Sequence, residues 1–346
     1  MTLRILVIMD PFIRVPPAHY GGIERVVADM TNELCRRGHA VTLWAAPGSA
    51  SVATVQPFGR EGEWTARSNA RNVALLTARL WRMRGRFDVV HNFGRLAYLA
   101  GILRADLAKV QTYMRPVSRR NIRLVDRWGA RRLRYTAVSE AIRDTADGRA
   151  GQWRVIYNGA HAERYTFRGD VDTATAPLVY VGRLDRCKGV HTAIAVARRL
   201  KRRLIIAGTI SDLAHERDYF DRELRPHFDA RLITYVGPVD DKAKNELLGQ
   251  AAALLLPVEW EEPFPVVLPE AMLCGTPVIA FRRGGLPEGI DHGATGFLCE
   301  TADDMAHMVE RLGELDRGAC RAVAEHRFST TAIVGAYEEL YRDLIA

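Results

Sequence analysis

Apolar and polar positions follow two repeating patterns along this chain. Residues 3–9 form a β-rich apolar run that leads into a proline-containing loop at 10–20. Apolar residues then recur at helical spacing up to Gly38, a natural helix stop, and the next apolar run covers 40–45. A strand, a helix and a second strand in this order predict a βαβ unit with parallel strands.

The second half of the chain repeats this arrangement. Residues 190–200 have helical spacing, and so do residues 332–345. Short continuous apolar runs, typical of buried parallel strands, lie at 178–181, 204–207, 232–236, 253–256 and 278–281. Both halves therefore predict an α/β fold with parallel sheets.

The domain boundary is predicted from length and composition. A chain of 346 residues favours two domains. Residues 168–177 are small and polar and end in proline, which is typical of a linker, so the boundary is placed near residues 158–176. We predict two doubly wound α/β domains, 1–158 and 159–331.

Charge is distributed unevenly between the two halves. The composition is that of a globular protein, with 48% hydrophobic and 26% charged residues, which excludes disordered and collagen-like classes. Residues 1–158 carry 26 Lys and Arg against 12 Asp and Glu, or +14, whereas residues 159–346 carry 23 against 29, or −6, within a net charge of +8. Such asymmetry indicates a polyanionic partner, which is a membrane surface, a nucleic acid or a phosphorylated substrate.

Other features narrow the class of protein. No apolar run approaches the roughly 18 residues of a membrane span, and the first residues lack the apolar core of a signal peptide. The five cysteines form no CxxC pair, which favours reduced and packed thiols. We therefore expect a cytoplasmic protein.

Two glutamates separated by seven residues, Glu262 and Glu270, are the strongest candidate site. Ligands of doubly wound folds bind at the carboxyl edge of the strands, where strand-to-helix loops such as this one lie. A helix is predicted to begin near Val266, and its N-terminus favours phosphate. An eight-residue step, if wholly helical, spans about 12 Å, which matches the distance from a ribose to a hexose across a diphosphate. For the pair alone, surface acids that cap a helix are the alternative.

The loop after residues 178–181 is a second candidate. Arg183 and Lys188 can converge on phosphates there, and Gly182 and Gly189 permit close backbone approach. Taken alone, the segment is equally compatible with a solvated basic loop.

Six segments occur in an order that is specific as a set. They are Gly21-Gly22-Ile23-Glu24-Arg25, Asp88-Val89-Val90-His91, Val155-Ile156-Tyr157-Asn158-Gly159, Gly182-Arg183-Leu184 with Lys188-Gly189, the E-x7-E segment 262–270, and 275–288. In this order they resemble family 4 of the retaining, nucleotide-sugar-dependent glycosyltransferases. The resemblance covers nearly the whole chain and is strongest across residues 178–299.

The resemblance implies the GT-B fold, in which two Rossmann-like domains flank a cleft and the C-terminal one holds the nucleotide sugar. Arg183 and Lys188 would then bind the diphosphate and Glu270 the ribose hydroxyls. Glu262 would act in catalysis by contacting hydroxyls of the transferred sugar. Two further residues of the same segment would contact the donor, Phe264 and Val266.

In the N-terminal domain the resemblance implies a facing set of contacts. Gly21 and Gly22 would approach the phosphates, and His91 would lie beside the transferred sugar and the acceptor hydroxyl as a catalytic residue. Taken alone, His91 is more typical of a structural histidine. The final helix, 332–346, would pack back on this domain.

No metal and no cofactor besides the donor substrate is expected. Two cations and a helix N-terminus can stabilise the charge that develops on a departing diphosphate. Asp170-Val171-Asp172 resembles a metal-binding DxD motif but lies in the linker. Retention is implied by the family, with no covalent nucleophile. Two departures from the family pattern, Pro265 in place of glycine and a single glycine at 208, bear on donor preference.

The sequence thus predicts a metal-independent, retaining transferase that moves a hexosyl group, with UDP-glucose or a close relative favoured as donor. Arginine clusters at 79–86 and 115–134 are equally compatible with a solvated basic face and with a surface that binds an acceptor or an anionic membrane. The acceptor is expected to be a lipid-linked or phosphorylated glycan or a small metabolite, with contact at the inner face of the membrane and no nucleic acid as partner.

Two other function classes compete with this one. The alternative is a non-catalytic sugar-nucleotide-binding protein that docks on an anionic membrane or nucleic acid through its arginine-rich half. A nicotinamide-dependent dehydrogenase is disfavoured, because Gly21-Gly22 lacks GxGxxG spacing.

Overall fold

The computed structural model describes residues 2–17, 21–60, 62, 65–146 and 150–346. The chain divides into two units, which we call unit 1 (Met1–Asn158 with Thr330–Ala346) and unit 2 (Gly159–Ser329). None of the helices in the described part of the chain combines the length and apolar character that a membrane span requires.

Strands and helices alternate along most of the chain. The strands are β1 (Arg4–Ile8), β2 (Ala40–Ala45), β3 (Thr54–Pro57), β4 (Val89–Asn92), β5 (Ala108–Tyr113), β6 (Leu133–Ala137), β7 (Trp153–Val155), β8 (Leu178–Val181), β9 (Leu204–Ala207), β10 (Ile233–Tyr235), β11 (Ala253–Leu256), β12 (Val278–Phe281) and β13 (Gly296–Cys299). The helices are α1 (Gly22–Arg36), α2 (Ala66–Met83), α3 (Arg119–Arg127), α4 (Glu140–Asp144), α5 (Val190–Arg199), α6 (Ala214–Tyr219), α7 (Asp241–Gly249), α8 (Val267–Leu273), α9 (Leu286–Gly289), α10 (Ala302–Glu310), α11 (Arg317–Phe328) and α12 (Thr330–Ile345).

Unit 1 is built on a seven-stranded parallel sheet in the order β3-β2-β1-β4-β5-β6-β7. Its core consists of apolar side chains from the strands, from α1 and from α12, among them Val334 and Tyr341. The last helix is also held by polar contacts, since His39 Nε2 lies 2.7 Å from Glu338 Oε1. The C-terminal helix is thus an integral part of the N-terminal unit.

Unit 2 is built on a six-stranded parallel sheet in the order β10-β9-β8-β11-β12-β13. Strand order reverses between β8 and β11, and in open α/β sheets the crevice at such a reversal is where ligands bind. The two loops that follow these strands are therefore the place to look for chemistry. Two parallel-sheet, Rossmann-like units confirm the predicted fold class.

A buried arginine holds together the amino-terminal edge of the unit 2 sheet, on the side away from the loops that follow β8 and β11. Arg317, at the start of α11, is only 5% exposed. Its guanidinium donates to the carbonyls of Arg168 (2.7 Å), Ala251 (2.9 Å) and Gly249 (3.1 Å) and to Thr276 Oγ1 (2.9 Å). One side chain thereby joins the linker, the segment before β11 and the segment before β12.

Candidate functional site

The loops after β8 and β11 are locked together through their backbones. Gly189 ends the β8 loop with φ +70°, and a Cβ atom there would lie 1.9 Å from the carbonyl oxygen of Pro257. The amide of Glu259 donates to the carbonyl of Cys187 at 2.8 Å. Only glycine permits this close approach of the two loops, which explains why position 189 is a glycine.

Lys188 and Glu262 meet where these two loops touch. Lys188 Nζ lies 2.5 Å from Glu262 Oε2, and the same oxygen accepts a hydrogen bond from Trp260 Nε1 at 2.6 Å. The ammonium also sits 4.6 Å from the centre of the Trp260 ring, which favours the cation. The other carboxylate oxygen, Glu262 Oε1, accepts no hydrogen bond from the described residues.

A third loop, after β12, fixes the backbone of Glu262. The amide of Gly285 donates to the Glu262 carbonyl at 2.7 Å. A Cβ atom on Gly284, whose φ is +56°, would lie 2.1 Å from that carbonyl oxygen. The loops after three neighbouring strands of unit 2, β8, β11 and β12, thus converge on Glu262.

Glu270 is held in the same manner by a different lysine. It lies in α8 and is 3% exposed. Its Oε1 accepts hydrogen bonds from Lys244 Nζ at 2.6 Å and from Tyr165 OH at 2.7 Å. Burial, reinforced by the adjacent carboxylate, raises the pKa of Tyr165, so the phenol stays protonated and donates. Glu270 Oε2 accepts no hydrogen bond within the described part of the chain.

The segment between the two glutamates differs in part from its prediction. The helix α8 begins at Val267, one residue later than expected, so residues 262–266 are not helical and the 12 Å helical span does not apply. Val266 is the half-buried residue that precedes the helix. Phe264 is 2% exposed and packs on Phe328 with ring centroids 5.3 Å apart. Its side chain is therefore a packing residue, which does not support the expected donor contact of that ring.

Arg183 lies on the β8 loop with its own acidic partner. Its Nη2 is 2.7 Å from Asp185 Oδ2, and the arginine side chain is 36% exposed while that of Asp185 is 7% exposed. Burial raises the pKa of Asp185. The arginine is thus oriented by a buried carboxylate on the loop that also carries Lys188.

In unit 1, Gly21 and Gly22 form the entry to α1 beside buried acids. Gly21 has φ 159°, and a Cβ atom there would lie 2.8 Å from Glu24 Oε2. Asp10, two residues after β1 ends, accepts a hydrogen bond from Tyr98 OH at 2.8 Å. Burial raises the pKa of both Asp10 and Glu24, and Arg115 lies close enough to oppose that shift. The described neighbourhood of Gly21 thus contains carboxyl groups as well as a cation.

His91 lies inside unit 1, and a catalytic role does not fit its geometry. The side chain is fully buried in β4. Nδ1 lies 2.6 Å from Tyr341 OH and Nε2 lies 2.6 Å from Thr112 Oγ1, so both ring nitrogens are occupied. The ring stacks on Phe93 with centroids 4.2 Å apart. Burial lowers the pKa of His91 to about 3, which keeps the imidazole neutral. His91 is therefore a structural histidine, which is what the sequence favours when this residue is considered without the other motifs.

Comparison with known proteins assigns the chain to a family. Residues 163–325 match the family model described as glycosyl transferases group 1, and residues 20–164 match the one described as glycosyltransferase family 4. The chain belongs to the family 4 glycosyltransferases. It is therefore an enzyme, and the non-catalytic alternative is set aside.

Two relatives show the extent of sequence similarity between this glycosyltransferase and known proteins. It is 28% identical to the glycogen synthase of Mycobacterium tuberculosis, over 87% of this chain and 83% of that one. It is 30% identical to a D-inositol 3-phosphate glycosyltransferase of Pseudarthrobacter chlorophenolicus, over 66% of this chain and 63% of that one.

Solved structures with less sequence identity share the GT-B fold. Sucrose-phosphate synthase from Thermosynechococcus elongatus superposes with a TM-score of 0.78 at 21% identity, over 98% of both chains. HepE from Anabaena, solved with UDP and glucose, superposes with a TM-score of 0.73 at 20% identity, over 97% of this chain and 98% of that one.

The glycosyltransferase brings together some of its predicted site residues and adds others. Arg183, Lys188 and Glu262 lie in adjoining loops of unit 2, and Glu270 lies in the helix that follows. Sequence reasoning missed the groups that hold the two carboxylates: Trp260, Lys244 and Tyr165. Their sequence signal is weak, because Lys244 and Tyr165 are 26 and 105 positions from Glu270. Among the described residues no group of three or more His, Cys, Asp or Glu side chains is placed to hold a metal ion.

The structural assignment of His91 predicts a stability effect with a characteristic pH dependence. We expect His91→Phe to lower the free energy of unfolding by about 1–3 kcal/mol at pH 7, because Tyr341 OH loses its buried partner. The native ring stays neutral while the unfolded one binds a proton below about pH 6.5, so the wild type loses stability as pH falls. Its advantage over the variant should shrink by about 1 kcal/mol per pH unit between pH 6.5 and 4.

Urea unfolding at several pH values measures this effect. Turnover per folded molecule should stay within a few-fold of wild type. A large loss of turnover with unchanged stability would instead show that His91 takes part in catalysis.

Proposed function

We propose that this transferase takes its hexosyl group from a nucleotide sugar, with UDP-glucose or a close relative favoured, and transfers it with retention and without a metal. The observation that carries the proposal is a pair of buried glutamates eight positions apart. Each has one oxygen held by a lysine and an aromatic donor, and the other oxygen, as far as the described residues go, is left for a ligand hydroxyl.

The roles of the groups follow from their charges. A diphosphate at the β8–β11 reversal would meet the Lys188 ammonium and the Arg183 guanidinium of the β8 loop. Glu262 Oε1 would accept a hydrogen bond from a hydroxyl of the sugar, and Glu270 Oε2 one from the ribose. The N-terminus of α8 adds a favourable dipole.

The same cations suit the chemical step. As the bond between the anomeric carbon and the diphosphate oxygen breaks, negative charge grows on the leaving group, and fixed cations stabilise that charge. The acceptor oxygen bonds to the anomeric carbon from the side of the leaving group, and its proton passes to a departing phosphate oxygen. The configuration is thereby retained, and Lys188 and Arg183 supply the positive charge that a metal would otherwise provide.

The choice of base draws support from structural neighbours. HepE was solved with UDP-glucose, whereas the catalytic domain of starch synthase IV from Arabidopsis thaliana was solved with ADP and acarbose. Both bases therefore occur in this fold, and UDP, ADP and GDP sugars must be compared directly.

An anionic acceptor is supported by the arginines of unit 1. In unit 2 most of the exposed arginines pair with acids, as in Arg217–Asp212, Arg222–Asp218 and Arg225–Asp221, although Arg203 and Arg231 form no ion pair with the described residues. In unit 1 a group of exposed arginines forms no ion pair with the described residues: Arg82, Arg86, Arg104 and Arg127. We propose that the acceptor, or the lipid surface that presents it, carries phosphate.

Thermal unfolding with a panel of donors tests the proposal. At 100 times its Kd, the correct sugar nucleotide stabilises the fold by about 2.7 kcal/mol and raises Tm by several degrees. EDTA should leave this shift and the turnover unchanged, and the anomeric proton of the product should report retention by NMR. The absence of a shift with UDP, ADP and GDP sugars, or an inverted product, would refute the proposed donor chemistry.

A further inference from the structure

Two groups outside the recognised motifs control the carboxylate of Glu270. Lys244 Nζ and Tyr165 OH both donate to Glu270 Oε1, at 2.6 and 2.7 Å. The side chains of Lys244 and Glu270 are only 12% and 4% exposed. Both donors therefore act on one oxygen in a largely dehydrated environment, where such bonds are strong.

The two donors are presented by segments that are tied to each other. Asn245, next to Lys244 in α7, accepts a hydrogen bond from the amide of Thr166, next to Tyr165, at 2.9 Å, and returns one to the Thr166 hydroxyl at 3.2 Å. Asp240 caps α7 by accepting from the amide of Ala243 at 2.8 Å. The ammonium and the phenol are thus held as one unit.

The helix that carries Glu270 is also held in place by Arg321. Arg321 Nη1 donates to the carbonyl of Tyr165 at 2.7 Å and to the carbonyl of Leu273, the last residue of α8, at 2.6 Å. One guanidinium therefore spans the segment that carries the phenol and the helix that carries the carboxylate. The carboxylate and its two donors are bound into a common frame.

A buried lysine–glutamate pair gives little stability by itself, because removing both charges from water offsets their attraction. The geometry of this pair instead sets the orientation of the Glu270 carboxylate. Two donors on Oε1 fix the side-chain torsions of Glu270 and leave Oε2 without a donor among the described residues.

We propose that Lys244 and Tyr165 are positioning residues that set Glu270 Oε2 for the ribose hydroxyls of the donor, and that they thereby determine donor affinity and ribose selectivity. This inference rests on the proposed function. Neither residue touches the reacting atoms, so their effect falls on donor binding rather than on the chemical step.

Ribose selectivity is the readout that separates positioning from a purely structural role. UDP, ADP and GDP are titrated calorimetrically beside their 2′,3′-dideoxy counterparts. We expect Lys244→Met to weaken binding of the preferred diphosphate about tenfold and to leave the dideoxy form nearly unchanged, so that the ratio of the two affinities collapses. Tyr165→Phe should act in the same direction with a smaller effect, and Lys244→Arg should restore part of the ratio.

The chain offers a matched control in Lys242, which lies on the same helix, is exposed and has no partner among the described residues. Lys242→Met should leave both affinities unchanged. In steady-state kinetics Lys244→Met should raise the donor KM about tenfold with kcat within about threefold of wild type.

The outcomes distinguish the two proposals. If the wild type binds none of the diphosphates, the proposed function fails. If it binds one of them and Lys244→Met keeps the wild-type ribose ratio, with or without a loss of stability, the positioning role is overturned. Equal losses for the ribose and dideoxy forms would overturn it as well.

Discussion

Replacing Lys188 with methionine lowers kcat by ~10²–10³-fold, the effect of removing one preorganised charge from a developing anion. Lys188 is held at the junction of two loops by Glu262 and the Trp260 ring, so its ammonium needs no reorganisation during the reaction. Methionine matches the length of the stem and removes only the charge. The loss should appear in kcat more than in donor KM, because charge on the diphosphate grows as the bond breaks.

The measurement is donor turnover, by transfer or by hydrolysis, with the nucleotide that the thermal panel selects. Arg186→Met is the matched control, because Arg186 lies in the same turn but is exposed and paired with Glu223. It should retain turnover within a few-fold. If the Lys188→Met enzyme keeps more than a tenth of wild-type kcat, Lys188 does not stabilise the charge that develops on the leaving diphosphate.

The second large effect concerns stability. Arg317→Met is expected to lower the free energy of unfolding of unit 2 by about 3–5 kcal/mol, because several polar groups of the interior lose their hydrogen-bond donor at once. The guanidinium satisfies the buried carbonyls of Ala251 and Gly249, the part-buried carbonyl of Arg168 and the Thr276 hydroxyl, and methionine leaves all four without this donor. Burial lowers the pKa of Arg317, because removal from water disfavours the charged form.

Hydrogen exchange of peptides from residues 159–329 in rising urea reports this effect separately from unit 1. Arg222→Met is the control, since its ion pair with Asp218 is exposed and contributes at most about 0.5 kcal/mol. Equal unfolding midpoints for Arg317→Met and wild type would show that water replaces the arginine without loss.

The sequence predicted the strands of unit 2 better than those of unit 1, for a physical reason. Buried parallel strands such as β8 and β11 consist of continuous apolar residues. In contrast, β5 contains Lys109 and Gln111, which are 0% and 1% exposed. The Lys109 ammonium donates to the carbonyls of Ala105 and Leu107, and Gln111 Nε2 donates to the carbonyl of Gly94. Hydropathy cannot recognise polar groups that loop carbonyls will satisfy.

The candidate site likewise contains some residues that the sequence predicted and others that it did not. Residues that a strand order places in neighbouring loops, Lys188 and Glu262, were found from motif and spacing. Lys244 was not, because its contact with Glu270 depends on how α7 packs beside α8. His91 was misplaced because a pattern predicts the strand but not the depth of a side chain within it, and this ring faces Tyr341 of α12.

Unit 1 is completed by a helix from the far end of the chain, whereas unit 2 is continuous in sequence. During translation, residues 159–329 therefore emerge in full before α12 can supply Val334 and Tyr341 to the core of unit 1. We therefore expect the usual order, in which the N-terminal domain folds first on the ribosome, to be reversed for this protein. A nascent chain stalled just before α12 should protect residues 159–329 from protease while the first 158 residues remain open to cleavage.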